Sequence, residues 1–523
     1  MHDEICCPLN GRGNFNYHNL NVSITIRPYK AEDLERIFTP VTVDTHQYDL
    51  ILVGSSFASS FFLKKFLEKK AQNLSTKSVS VLVLEKGSLQ DYSWQRDHFE
   101  QMDSAENPLI INPNTDHRWV SHILFGGNSN CWWASTPRML PSDFELRDRY
   151  GVGVNWPIRY QDLEPYYTEA ESIMSVSGPA SPPYPMSQPY PQPPHHLNDT
   201  DLLLQKKYPQ HYFPQPTARR RRAVNQTPAC CANGVCTTCP IDAKFTILNS
   251  MEDLYKHSGV ELKLESDVLS VITKGNQVSG VLYRDSTGVE KQAYGELIAL
   301  GANALFNTQI LMRSNIQHKD LGHYLSEQVS FNVNVSLDGL DNFQGSTSIT
   351  GQGYMYYDGA HRRHRAACLI ENYNTFYPLL RTEEHRWQQA MFFKCIFEDI
   401  PLYDNYISLS KDDPSKVEVH YSGHSIYTER GIKFMREKGV RDLLDGLPVE
   451  RYTAIRLNTT ECHIMGTHRM GSDPADSIVD DKMLHHQYRN LLVLGSGAFP
   501  STAPANPTLT ICALSLRAAD RLI

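Results

Sequence analysis

Apolar residues in this chain fall first into short unbroken runs and later into alternating ones, and the change separates two kinds of sheet. Tyr48-Asp-Leu-Ile-Leu-Val53 is unbroken but for Asp49 and ends in Gly54-Ser-Ser-Phe-Ala-Ser-Ser60. Such a run suits a strand buried on both faces of a parallel sheet. The pattern then predicts a helix over 57–70, an inserted loop over 72–78 and a second strand over 79–84 ending at Glu85, together a βαβ unit. Strands are expected over 260–264 and 268–273, with a hairpin reaching Val289. Between 329 and 422 the pattern alternates, as in Phe331-Asn-Val-Asn-Val-Ser-Leu337, Met391-Phe-Phe-Lys-Cys-Ile-Phe397 and Tyr406-Ile-Ser-Leu-Ser410, which suits an antiparallel sheet with one wet face. An apolar helix is expected from Thr508 to Ile523, and one strand over 20–27 in an otherwise polar N-terminal arm. The Pro-rich stretch from Gly178 to Pro194 reads as a polyproline-type surface loop, expected to cover the substrate pocket.

Composition narrows this picture without directing it. With 523 residues, 41% apolar and 21% charged, the chain is an ordinary globular one of roughly two to four lobes. A net charge of −8 favours neither nucleic acid nor an anionic membrane surface as partner. No apolar run of about 18 residues suggests a transmembrane helix. Met1-His-Asp-Glu lacks the positive start of a signal peptide, so the expected location is cytoplasmic, or periplasmic if the chain is exported with a signal-bearing partner.

Three stretches carry chemistry. In the βαβ unit, a helix N-terminus receives a pyrophosphate and the acid at the end of the second strand, Glu85, binds ribose hydroxyls. The G-x-G-x-x-G glycines fall here on Gly54, Ser56 and Ser59, which leaves an ordinary βαβ unit as the alternative. Near the C-terminus stand His463 and, 43 residues on, Asn506 before Pro507. An imidazole that takes a hydroxyl proton and an amide that donates to its oxygen together prepare an alcohol to lose hydride. His463, beside Met465 and Gly466, reads equally as a packed core residue. The third stretch is Ala229-Cys-Cys-Ala-Asn-Gly-Val-Cys-Thr-Thr-Cys-Pro240, a C-C-x4-C-x2-C-P run. Adjacent cysteines chelate a single zinc ion poorly, whereas a cluster of several irons accepts them, so Cys230, Cys231, Cys236 and Cys239 are candidate iron–sulfur ligands. Disulfides are the alternative, disfavoured in an unexported chain. The Arg219 to Arg222 run reads as a solvated loop face, with a phosphorylated ligand or acidic partner as the alternative.

His463-x-x-Gly-Thr-x-Arg-Met-Gly471, then Asn490-Leu-Leu-Val, Phe499-Pro and Asn506-Pro-Thr-Leu-Thr-Ile511, resembles the C-terminal signature of the glucose-methanol-choline (GMC) flavoprotein oxidoreductases. Gly126-Gly-Asn-Ser129 is similar to that family's second flavin loop, and Trp156-Pro to Tyr167 to a segment of its sugar-oxidising branches. The resemblance implies an α/β fold, a Rossmann-like FAD-binding domain with a substrate-binding domain on an antiparallel sheet. It divides the chain into an arm over 1–47, FAD-binding parts over 48–150, 226–325 and 456–523, substrate-binding parts over 151–225 and 326–455, and the cysteine loop over 229–244. It implies catalysis by His463 and Asn506. It also implies cofactor contacts at Gly54, Ser55, Ser56, Phe57, Ala58, Glu85, Lys86, Gly126, Gly127, Asn128, Ser129, Val268, Gly301, Gly495, Ala498, Pro507 and Thr508.

Departures are visible. Cys131 stands near the place of a flavin-linking His in some relatives and reads as a buried small residue, so FAD is expected to be non-covalent. Gly495 replaces a frequent Asp, and His468, in place of a usual Cys, is expected to pack near the diphosphate, with a second titrating group as the alternative. The cysteine loop resembles that of bacterial flavin-dependent sugar dehydrogenases, C-C-x4-C-x3-C, which holds a three-iron cluster; one residue shorter here, it is expected to bind a three- or four-iron cluster. The resulting expectation is a dehydrogenase of a sugar, glycoside or related alcohol that passes electrons to an acceptor protein or quinone, with a small partner subunit as a further expectation. An oxygen-using oxidase and a flavin-containing lyase are the competing readings.

Overall fold

The computed structural model describes residues 47–72, 79–103, 107–114, 116–224, 226–375 and 381–522. The expected strand over 20–27 and most of the inserted loop over 72–78 lie outside them.

The short unbroken runs build a seven-stranded sheet in the spatial order Val260–Lys263, Val81–Leu84, Gln47–Val53, Glu290–Leu300, Gln277–Arg284 and Asp267–Lys274. Gln47–Val53 lies parallel to both of its neighbours, and Leu50 to Leu52 are fully buried, as an unbroken apolar run requires. Glu290–Leu300 is long enough to serve two partners along the edge away from Gln47–Val53. Its first half pairs antiparallel with Gln277–Arg284, and its second half pairs parallel with Leu491–Val493. That second pairing delivers the C-terminal segment to the sheet.

Helix Phe57–Gln72 follows the first strand and packs Phe61, Phe62, Leu63 and Phe66 into the core at 1% exposure or less. Each such burial contributes about 1.5–3 kcal/mol. The C-terminal helix Thr508–Leu522 lies against it and against Tyr160–Met174, where Tyr167 Oη and Thr510 Oγ1 share a 2.8 Å hydrogen bond.

The alternating runs build a six-stranded antiparallel sheet in the order Val449–Leu457, Val329–Leu337, Ala390–Phe397, Cys368–Tyr373, Ile349–Tyr356 and Tyr212–Pro214. One expectation is corrected here. Tyr406–Leu409 does not join this sheet; it pairs with Val417–His420, which pairs with Ile110–Ile111, in a separate three-stranded one. Its apolar residue Ile407 packs with Trp119, Leu305 and Leu325 instead.

Candidate active site and cofactor cavity

A cavity of about 640 Å³ runs from the end of the first parallel strand to the face of the antiparallel sheet, a size typical of ligand sites. At its first end the turn after Val53 exposes the N-terminus of helix Phe57–Gln72. Gly54 has φ of 88°, and a Cβ there would lie 2.6 Å from the carbonyl oxygen of Gly301, so only glycine fits. The missing third glycine is explained across the gap. Ser59 packs over Gly301, where a Cβ would sit 2.0 Å from Ser59 Oγ, so the glycine that permits close packing stands on the opposite strand. Ser55 Oγ donates to Glu85 Oε2 at 2.7 Å and accepts from Gly126 N at 2.9 Å, joining the strand-end acid to the second glycine loop. Burial raises the pKa of Glu85, while Ser55 and the Gly87 amide, 2.8 Å from Oε1, favour its charge.

These residues fit FAD. An open helix N-terminus free of acids in its first turn suits a diphosphate. Glu85 suits ribose, and Gly126 and Gly127, with φ of 80° and 50°, form a loop with little side-chain bulk. Gly54, Ser55, Ser56, Phe57, Ala58, Glu85, Lys86, Gly127, Asn128, Val268, Gly301, Gly495, Pro507 and Thr508 line the cavity. Gly126, Ser129 and Ala498 stand behind its wall: Gly126 through its bond to Ser55, Ser129 by accepting from Ile247 N at 3.1 Å, and Ala498 in the core.

At the other end His463 and Asn506 line the same cavity. A residue not singled out from the sequence joins them. Gln328 Nε2 donates to the carbonyls of Ala503 and Ala505 at 2.5 and 2.9 Å, which turns its Oε1 towards His463 Nδ1, 2.6 Å away. His463 Nδ1 therefore carries the proton, and in the neutral ring Nε2 is the acceptor. Burial pushes the His463 pKa below its usual value, opposed by Glu461 and Glu327, so the ring is neutral near pH 7. Glu327, also missed, fixes the turn through His463 N, Glu461 N and Thr460 Oγ1 at 2.6 to 3.0 Å, and its Oε2 lies 2.7 Å from His117 Nε2. Asn506 Oδ1 accepts from Ser135 Oγ at 2.9 Å, which leaves its amide N–H groups for the cavity. Neither Gln328 nor Glu327 carries a sequence signal beyond its place after the apolar turn at Leu325.

The cysteine loop is arranged differently. Cys236 is buried with its Sγ 2.9 Å from Ser348 Oγ, Cys230 Sγ lies 3.5 Å from Thr347 Oγ1, Cys239 Sγ accepts from Ala243 N at 3.3 Å, and Cys231 is exposed. Burial pushes the Cys239 thiol up to about 11, with Cys236 adding to it. Among the described residues, no three His, Cys, Asp or Glu side chains are gathered as ligands of one metal ion. Asn233 to Thr237 nonetheless form part of the cavity wall beside Cys131 and Trp132. Lys244, fully buried, lies 2.7 to 2.9 Å from the carbonyls of Asn130, Trp132, Cys236 and Thr237, so the cysteine loop and the second glycine loop form one body.

Three smaller expectations are corrected. Arg219 and Arg220 are buried, not solvated: Arg219 bonds Trp133 O, Gln215 Oε1 and Ile349 O and reaches Cys236 Sγ at 3.5 Å. Cys131 is half-exposed and lines the cavity rather than filling the core. None of residues 178–194 lines the cavity; Tyr184 and Tyr190 pack inward near Arg138 instead.

Residues 401–515 match the family model described as GMC oxidoreductase. The match covers the stretch that holds His463 and Asn506. Across nearly its whole length the chain is 25% identical to the fructose dehydrogenase large subunit of Gluconobacter japonicus, covering 92% of this chain and 98% of that one. It is 23% identical to a 2-methyl-1,2-propanediol dehydrogenase of Mycolicibacterium austroafricanum, covering 76% and 80%, and 24% identical to a paromamine 6'-oxidase of Streptomyces fradiae, covering 91% of each. The fold is that of pyridoxine 4-oxidase from Mesorbium loti, with TM-score 0.63, 16% identity and 91% and 99% coverage. It is also that of an FAD-dependent oxidoreductase from Chaetomium thermophilum, with TM-score 0.64, 13% identity and 91% and 98% coverage. The architecture is thus the α/β one of FAD-binding GMC oxidoreductases, with a Rossmann-like part and an antiparallel-sheet part.

Proposed function

We propose that the protein is a flavin-dependent GMC dehydrogenase that oxidises a hydroxyl of a sugar, glycoside or related alcohol to a carbonyl. One observation carries this reading: a histidine with its tautomer fixed and a carboxamide with its donor free face one cavity whose far end fits FAD. The hydroxyl oxygen sits between His463 Nε2 and Asn506 Nδ2; the imidazole takes the proton as the carbon-bound hydrogen leaves as hydride, and the amide holds the oxygen as it becomes a carbonyl. When bound, FAD supplies the hydride acceptor. Gln328 holds the imidazole in its accepting form, and Glu327 fixes the turn that aims it.

The spacing of Cys230, Cys231, Cys236 and Cys239 supports an exit for electrons through an iron–sulfur cluster to an acceptor protein or quinone, and the loop's place on the cavity wall suits that exit. The likeness to a paromamine 6'-oxidase favours the second reading, an oxidase that releases hydrogen peroxide. Anaerobic purification followed by a visible spectrum, with iron and acid-labile sulfide measured before and after a panel of sugars, tests the proposal. Flavin bleaching with about three or four irons per chain establishes a relay. Bleaching without iron, and peroxide on admitting air, establishes the oxidase. Absence of bleaching with every sugar and alcohol overturns both.

A further inference from the structure

The cavity floor holds a carboxyl group that this reaction does not use. Glu371 lies in the strand Cys368–Tyr373 directly opposite Lys394, and Lys394 is opposite Asn332 on the next strand. Register therefore sets Glu371, Lys394 and Asn332 in one row, and all three line the cavity. Beside this row stand Tyr373 and Phe392, also opposite each other, with rings 4.9 Å apart. Lys394 is held by Glu461 at 3.0 Å. The Oε1 of Glu371 accepts from Gln215 Nε2 at 3.1 Å and Gln352 Nε2 at 3.0 Å, and Ser135 Oγ, 3.0 Å away, shares its one proton between this oxygen and Asn506 Oδ1. Among the described residues, none donates to its Oε2. Ser135 Oγ, which accepts from Gln215, also reaches Asn506 Oδ1, so one hydroxyl separates Glu371 from the amide that holds the reacting oxygen.

We propose that this row is a hydroxyl-recognising subsite, in which Glu371 Oε2 binds a second hydroxyl of the substrate while the aromatic pair packs against its carbon skeleton. The substrate is then a polyhydroxylated ring compound and not a simple alcohol. This rests on the oxidoreductase reading, since it takes His463 and Asn506 to hold the first hydroxyl. Buried polar groups left unpaired are what make such a site reject an analogue that lacks the hydroxyl.

The test uses the flavin-loaded protein, the best sugar from the panel, its monodeoxy analogues and a simple alcohol. Glu371→Gln keeps the acceptor at Oε1 and places a donor at Oε2. It is expected to lower kcat/KM for the sugar by about 10- to 100-fold, mainly through KM. One monodeoxy analogue is expected to show a similar loss with the unmodified protein and little further loss with the variant. The simple alcohol is expected to react equally with both. Calorimetric binding of the sugar to the reduced protein, where no turnover occurs, should weaken by the same factor. Glu371→Asp, which keeps the charge but shortens the reach, should fall between the two and carries the same comparison if the Gln variant does not fold. Equal handling of the sugar by variant and unmodified protein, or an equal loss for sugar and simple alcohol, overturns the subsite. If no hydroxyl compound bleaches the flavin, the oxidoreductase reading fails on its own, and binding decides the subsite: weaker sugar binding by the variant supports it, and unchanged binding overturns it.

Discussion

The two chemically marked regions of this chain behave in opposite ways. His463 and Asn506 are 43 residues apart, yet they face one cavity because Gln328, from the start of a different sheet, bonds the imidazole and the backbone just before Asn506 together. Of the four cysteines within ten residues, Cys230, Cys236 and Cys239 each have a different hydrogen-bond partner and Cys231 is exposed. Closeness in sequence is thus no guide to convergence. Groups that polar neighbours from several elements over-determine are placed by the fold itself, whereas a short loop takes the geometry of whatever bonds are nearest.

The sharpest way to break the comparison is to remove the footing of the convergent region. Gly54→Val places a branched side chain where a single Cβ already lies 2.6 Å from Gly301 O, in a left-handed turn. The purified variant is expected to lack flavin altogether, as read from its visible spectrum. Next in size is Gln328→Leu, which releases the imidazole tautomer and strands two carbonyls. Steady-state kcat is expected to fall by about 10- to 100-fold with flavin content retained. An unchanged kcat would mean that the His463 geometry is set elsewhere. For the cysteine region, alkylation followed by mass spectrometry should modify exposed Cys231 first, and buried Cys236 and half-buried Cys239, whose thiol pKa is raised, last. Equal protection of all four thiols, lifted together by an iron chelator, would show that the loop gathers around a metal and would end the contrast.

Much of the frame was legible because it rests on local pattern. The unbroken run at 48–53, the turn at Gly54 and the helix beginning at Phe57 are fixed by periodicity and one glycine, and the alternating runs at 331–337 and 391–397 name their sheet. The residues that complete the site were not legible for the opposite reason. Gln328 and Glu327 act across more than 130 residues of sequence, and the buried places of Arg219 and Arg220 follow from carbonyls brought in by other segments of the chain. Tyr406–Leu409 alternates like its neighbours, and nothing in that alternation says which sheet it joins. His468 illustrates a pairing that emerges only in space: a Cβ on Gly497 would lie 1.8 Å from its ring, so glycine at 497 accommodates histidine at 468.

Two smaller effects follow from titration. His463 accepts a proton only when neutral, and burial has pushed its pKa below the usual 6.5. A plot of kcat/KM should therefore stay level from about pH 8 down to about pH 6.5 and bend only below that; a bend above pH 7 would contradict the buried, neutral imidazole. Burial lowers the pKa of His468 from 6.5 to about 3. The unfolded chain binds this proton first, so the contribution is fully present above pH 6.5 and is lost as pH falls from there towards about 3. His468→Gln should accordingly show a smaller drop in Tm between about pH 7 and pH 5 than the unmodified protein, an effect of about 2 kcal/mol at most.

The central claim is that His463 takes the proton of the hydroxyl being oxidised. It is tested most directly by mixing a sugar rapidly and without oxygen with the flavin-loaded protein and with its His463→Ala variant, following the flavin's visible absorbance. The predicted result is bleaching slowed in the variant by about 10²- to 10⁴-fold, with flavin content and sugar affinity little changed. Bleaching at the same rate in both proteins would contradict the account.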